Sequence, residues 1–281
     1  NRVPSSMIEA NIKAGIAGIS VYQSDNYGAK DGQAGIVTSV ETIHESLPSQ
    51  GGGGRQATLP NSYYKVNSIF PDLGGVQLNS YNGLCPDDKV LIIQMQGAFI
   101  NTDNTTDYGK IQSLVFSGNY EFARIASITS IGIIFKNKLK NFYSPTDGSV
   151  QLIRVPEYRD LTINSPLSCQ AWNGETGGVL VFSVENTLQL NSFIDVTGKG
   201  FRGGAASNAV KNPTMHTGDY VSTVDSTRFS RKGEGIFGWR NPDHRAGRGA
   251  AASGGGGGNN HNAGGGGGSY LGCGGMGGYG W

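Results

Sequence analysis

The sequence predicts an all-β protein: a sandwich- or solenoid-like base followed by a glycine-rich lattice of extended, three-residue-per-turn helices. Three observations predict it. Short apolar runs recur from Ser62 onward, bounded by Gly, Asn, Pro and Asp, which is the pattern of many short strands. About half of the residues from Gly249 to Trp281 are glycine, including the unbroken runs Gly254–Gly258 and Gly264–Gly268. Such a tract has almost no apolar side chain to bury, so it is either a flexible linker or an array of polyglycine helices joined by backbone hydrogen bonds. Finally, Tyr, Met, Cys and Trp are set into the glycines, which favours order over a linker. A lone glycine strand would lose too much freedom on ordering, whereas several strands bonded side by side offset that loss.

The elements follow in order. In residues 1–61, Ile8, Ile12, Ile16 and Ile19 fall at near-helical spacing, weakened by Gly15 and Gly18. Val40, Ile43, His44 and Leu47 fit a short helix stopped by Pro48, and Gly51–Gly54 makes a break or a further glycine strand. Residues 62–204 form the β-rich domain. Tyr64–Ile69 alternates and Val76–Leu78 follows a Gly-Gly turn, a hairpin. Lys89–Gln96 holds Val90-Leu91-Ile92-Ile93, an apolar run of the kind buried on both faces. Tyr120–Ile128 and Ile131–Phe135 pair around Ser130, and Val150–Val155, Gly178–Val184 and Thr187–Leu190 continue the series. Residues 205–281 are the glycine-rich domain with a locally basic insertion (Arg228, Arg231, Lys232, Arg240, Arg245, Arg248) interleaved with Phe229, Phe237 and Trp239. That stretch is read as an insertion packing its aromatics on the glycines rather than as a nucleic-acid or glycan surface, since no nucleic-acid fold motif accompanies it.

Composition narrows the function. Lys and Arg number 22 against 21 Asp and Glu, a net charge of +1, so no global field favours nucleic acid or an acidic membrane. Charged residues are 15%, low against the usual quarter or about 25%, and Asn, Ser, Thr and Gly abound, as on an extracellular surface. No stretch is long enough for a membrane-spanning helix. The chain begins at Asn1 with a polar segment and is read as a mature, processed or partial form. Cys85, Cys169 and Cys273 are odd in number and lack metal-type spacing; a Cys85–Cys169 disulfide is expected, with buried free thiols as the alternative.

Catalytic patterns fail on context. Gly198, Gly200 and Gly203 spell GxGxxG, as do Gly272, Gly274 and Gly277, but no helix opens after either. His44, His216, His244 and His261 are scattered, and Asp243-His244 lacks a nucleophile. The oxygen-rich run Asn101–Asp107 offers Asp103 and Asp107 as calcium ligands, without the glycine and glutamate of an EF-hand loop. Glu157, Asp160, Glu175, Glu185 and Asp195 single out no glycosidase pair. The expected recognition residues are those at the turn between glycine runs, Asn259, Asn260, His261 and Asn262, with Tyr270.

Five segments carry a resemblance: Asp88–Gly97 (DKVLIIQMQG), Asn119–Ser127 (NYEFARIAS), Val150–Tyr158 (VQLIRVPEY), Ala171–Val179 (AWNGETGGV) and Ile194–Gly204 (IDVTGKGFRGG). Together they resemble the N-terminal region of large secreted, glycine-rich surface proteins of gliding Bacteroidota-type bacteria, which include type IX secretion cargo and gliding adhesins. The resemblance spans about Ser62 to Trp281. It implies a secreted β protein held at the cell surface by outer-membrane secretion or motility partners, with no family catalytic residues to carry over. The glycine tract separately resembles the polyglycine II domains of certain phage tail adhesins and of a receptor kinase ectodomain. The function expected is a non-enzymatic adhesin module meeting a glycan or substratum. The alternatives are an anchoring or cargo subunit docked through Asn1–Gln50, and a carbohydrate-active enzyme on a β-solenoid.

Overall fold

The computed structural model describes residues 20–21, 34–39, 42–43, 60–164, 166–207, 219–222, 229–238, 245–269 and 272–279. Among these residues the fold is all-β, with no helix. The expected helical segment Ile8–Ile19 and the Gly51–Gly54 run lie outside them.

Six antiparallel strands close a barrel: β4 (Tyr63–Ile69), β5 (Gly75–Leu78), β6 (Lys89–Gln94), β9 (Tyr120–Thr129), β10 (Gly132–Phe135) and β11 (Val150–Val155), in the order β10-β5-β4-β11-β6-β9. Alternation decides what fills it. Tyr64, Val66, Val90, Ile92, Val150 and Leu152 point inward and pack with Val76, Ile125 and Ile133. The opposite faces of β6 and β11 are buried too, because Leu91, Ile93, Ile153 and Val155 pack under Trp172, Val179 and Val181. Double burial is why Val90–Ile93 reads as an unbroken apolar run, each side chain contributing about 1.5–3 kcal/mol. Closure removes the exposed edges that a sandwich would leave.

Beside the barrel lies a parallel sheet of β14 (Ser183–Leu190), β12 (Glu157–Ile163) and β2 (Ala34–Ser39), ending in antiparallel β3 (Thr42–Ile43). Glu157 faces Ser183 and Leu161 faces Leu188, and the parallel pairing continues at Leu167 and Ile194. The chain thus coils back on itself once, with Leu161, Ile163, Leu167 and Val184 inside the coil. Smaller pairs are β1 (Ser20–Val21) with β13 (Leu180–Val181), and β7 (Phe99–Ile100) with β8 (Ile111–Ser113). The expected helix at Val40–Leu47 is corrected: Thr42–Ile43 is the edge strand β3, where the β-branched Thr and Ile suit an extended chain.

The barrel and the coil meet at buried charges. Arg124 on β9 donates to both carboxylate oxygens of Glu157 on β12, at 2.9 and 2.7 Å, and also to the Asp87 carbonyl. Arg154 pairs with Asp88 at 3.3 Å, both buried. Buried amides tie the loops. Gln94 accepts from the Ser144 N–H and donates to the Gln96 and Val115 carbonyls, and Gln151 exchanges two hydrogen bonds with Gly177.

The quoted segments thus resolve into geometry. In AWNGETGGV, the Asn173 carboxamide oxygen accepts from the N–H groups of Glu175 and Thr176, while Gly174 and Gly177 take positive φ to complete the turn.

Candidate functional site

Among its described residues the glycine-rich region carries no regular strand, yet its backbone is paired in a repeating way. Gly266 donates to Gly256 and Ser269 to Ser253; Gly275 donates to Gly267 and Gly278 to Gly264; Ser230 donates to Gly258 and Gly233 to Gly255. In each antiparallel pair both partners advance by three residues. Gly256 to Gly275 and Asn259 to Gly278 repeat the step in parallel, and these eight bonds are 2.8–3.1 Å long. A β-ladder advances by two; a three-fold extended helix advances by three.

The same period sorts the outer glycines, whereas in the inner run Gly254–Gly258 every one is blocked by neighbouring backbone. A Cβ at Gly257 would stand 2.8 Å from the Ser230 carbonyl carbon and closer still to its oxygen; at Gly277 it would stand 2.6 Å from the Gly257 carbonyl carbon. At Gly264 and Gly267 it would meet nothing within 4 Å. Side chains appear where space is open: Cys273, Met276 and Tyr279, three residues apart, are all exposed, Met276 by 55% and Tyr279 by 58%. In a three-fold extended helix, with about 9 Å per turn, residues three apart fall on one line.

Lys232 fastens this region. Its buried ammonium donates to the carbonyls of Tyr220 (2.5 Å), Gly247 (2.9 Å) and Gly249, and lies 4.4 Å from the Tyr108 ring centroid. Three donors meet three acceptors on two separate segments. Burial pulls its pKa down to about 7. Between that value and the ordinary 10.5 the unfolded chain holds a proton that the folded chain lacks, so stability rises with pH across this window. Tyr108 stays neutral throughout, since burial raises its pKa. Urea unfolding at pH 7, 8 and 9 is expected to show that rise in the native sequence. Lys232→Met should flatten it while costing about 2–4 kcal/mol, because the buried carbonyls of Tyr220, Gly247 and Gly249 lose the nitrogen that donates to them.

The expected recognition residues divide. His261 and Asn262 are exposed at the turn between Gly258 and Gly264. Asn259 and Asn260 are buried, a correction to their expected presentation. Asn259 is drawn inward because its side-chain amide donates to the Asp219 carbonyl at 2.6 Å and its backbone bridges Phe229 and Tyr279. Asn260 and Asn262 have φ of 63° and 60°, the left-handed backbone that Asn tolerates. Tyr270 lies outside the described residues, as do His44, His216, His244, Arg228, Arg240 and Trp239. Sequence reasoning missed Tyr279 and Arg248: the guanidinium lies 5.3 and 4.7 Å from the ring centroids of Tyr220 and Tyr279. The signal was the spacing of three in Cys273, Met276 and Tyr279. It also missed the exposed pair Phe116–Phe142, 6.1 Å apart, where Val115 and Phe116 take positive φ.

The remaining candidates have other partners. In the Asn101–Asp107 run, Asp107 pairs with Lys110 at 2.6 Å, and Asn104 bonds Asp219 and the Tyr220 N–H. Asp103 is exposed, and no cluster of three metal-ligating side chains occurs among the described residues. Cys85 and Cys169 are not joined, a correction to the expected disulfide. The Cys85 N–H is fixed by Asp88 in the turn before β6, whereas the Cys169 thiol is buried in the coil core, which pushes its pKa up to about 11. Among the carboxylates, Glu157 is held by Arg124, Glu175 by Lys65, Asp160 by Arg159, and Asp195 caps the Thr197 N–H. Glu185 is exposed on β14.

No protein-family model matches this chain. No curated protein matches it either. Two solved structures are similar to parts of it. One is the tailspike protein gp49 from Pseudomonas phage LKA1, at 13% identity and TM-score 0.24, covering 46% of this chain and 21% of that one. The other is the Gp54 tailspike of Acinetobacter baumannii bacteriophage AP22, solved in complex with capsular saccharide, at 14% identity and TM-score 0.24, covering 54% and 26%. The chain therefore spans about a quarter of their length, and a TM-score of 0.24 is too low for a shared overall fold.

Proposed function

We propose that this chain is a non-enzymatic, extracellular attachment module of a bacterial surface protein. The glycine-rich region is a polyglycine II-type lattice fixed to a β-barrel base. The observation that carries this reading is the three-residue step of the backbone hydrogen bonds, with Cys273, Met276 and Tyr279 at the outward positions of that step. Such a lattice holds Tyr279, Met276, His261 and Asn262 on a rigid surface without needing a hydrophobic core. Rigid display lowers the ordering cost of each weak contact, and repetition over a cell surface multiplies them. The scattered carboxylates, each engaged in structural bonds apart from Glu185, support the non-enzymatic reading.

The resemblance of segments such as Asp88–Gly97 and Ile194–Gly204 supports a gliding-adhesin or type IX secretion cargo of Bacteroidota type, held by outer-membrane secretion or motility proteins. Among the described residues no helix is long and apolar enough to cross a membrane. Beads coated with the chain should be retained under flow on glycan-coated glass. Tyr279→Ser combined with His261→Ala should cut retention several-fold with an unchanged melting temperature. Equal retention of native and variant chains would remove this surface from the account.

A further inference from the structure

A cleft of about 460 Å³ opens where the end of the barrel meets the glycine-rich region. Its walls are polar, and they are held in place. Gln96 donates to the Gly235 carbonyl at 2.8 Å and accepts from the Ser149 hydroxyl at 3.2 Å. Arg202 and Glu234 grip each other through Nε–Oε2 at 3.0 Å and Nη2–Oε1 at 2.5 Å. Asp147 accepts from the Ser144 hydroxyl at 2.5 Å. Arg231 lines the same cleft, is exposed, and its guanidinium pairs with no acid among the described residues. Arg202, Arg231 and Arg245 line it against Asp147 and Glu234, while the Lys232 nitrogen is taken up by its three carbonyls, so the cleft carries a cationic excess of one.

The mixture selects a ligand class. An excess of guanidinium alone would suit any small anion. A carboxylate on the same wall would repel a phosphate, but it accepts well from hydroxyl groups. The ligand that satisfies both carries many hydroxyls and one carboxylate. The volume lies within the usual range of about 300–1,000 Å³ for small-molecule sites.

We propose that this cleft binds an acidic saccharide, with Arg231 taking the carboxylate of a uronic-acid unit and Asp147, Gln96 and Ser149 addressing its hydroxyls. This deepens the attachment reading and rests on it for the choice of a saccharide.

The test titrates the whole chain with tetragalacturonate, with neutral galactotetraose and with inorganic phosphate, by calorimetry at fixed salt. The uronate tetramer should bind at least about tenfold more tightly than the neutral one, and Arg231→Gln should erase about tenfold of that affinity without moving the melting temperature. Inorganic phosphate at the same concentration should leave uronate binding unchanged. Absence of uronate binding, equal binding by Arg231→Gln, or displacement by phosphate would each overturn the proposal. The bead-retention experiment is scored separately. Retention without uronate binding sinks the cleft alone, and uronate binding without retention sinks the attachment reading alone.

Discussion

Alanine at Gly266 is expected to unfold the glycine-rich region, while alanine at the very next residue is tolerated. A Cβ at Gly266 would stand 2.8 Å from the Met276 carbonyl carbon and closer still to the Gly275 carbonyl oxygen. Both obstacles are backbone, so no rotamer change relieves them. Segments 264–269 and 272–279 would have to part, losing the bonds from Gly275 to Gly267 and from Gly278 to Gly264. Overpacking of this kind costs about 3 kcal/mol or more. At Gly267 the added methyl meets nothing within 4 Å, and its φ lies outside the left-handed region. There alanine removes only unfolded-state freedom and should stabilise by about 0.5 kcal/mol. Thermal unfolding of the two variants checks this directly. A flexible linker would respond alike at both positions.

The second large effect lies at the seam of barrel and coil. Arg124→Met takes the bidentate guanidinium from a Glu157 carboxylate that is 2% exposed, and should cost about 3–5 kcal/mol. Arg124 also loses its bond to the Asp87 carbonyl, so the loop before β6 loosens with it. Replacing both partners by methionine should recover most of the loss, because the buried carboxylate is removed together with the guanidinium that it binds. Urea denaturation of the two single variants and the double variant yields the coupling. Additive losses would contradict the buried-pair account.

Much of this was legible in the sequence. Alternation at Tyr64–Ile69 and the apolar run Val90–Ile93 marked β4 and β6, because burial on one or both faces writes itself into the pattern. Closure of six strands into a barrel was not, since pairing partners such as β4 and β11 are distant in sequence and local periodicity carries no register. β12 was missed because Arg159 and Asp160 interrupt its apolar pattern. Thr42–Ile43 was read as part of a helix because its spacing of apolar neighbours fits both periods. At the site, glycine content announced close backbone approach, but not which glycines face inward. Asn259 looked like a displayed side chain, and only the Asp219 carbonyl that it meets turns it into a structural tie.

Amide hydrogen exchange resolved at single glycines tests the central claim, that the glycine-rich region is an ordered scaffold rather than a tether. The N–H groups of Gly256, Gly266, Gly275 and Gly278, which all donate to neighbouring segments, should exchange slowly. Gly265 and Gly268, which are exposed and donate to no residue described here, should exchange fast. Slow and fast sites in that three-residue alternation are the predicted result. Uniformly fast exchange from Gly254 to Gly278 would mean a flexible tether, and the rigid attachment surface would fall with it.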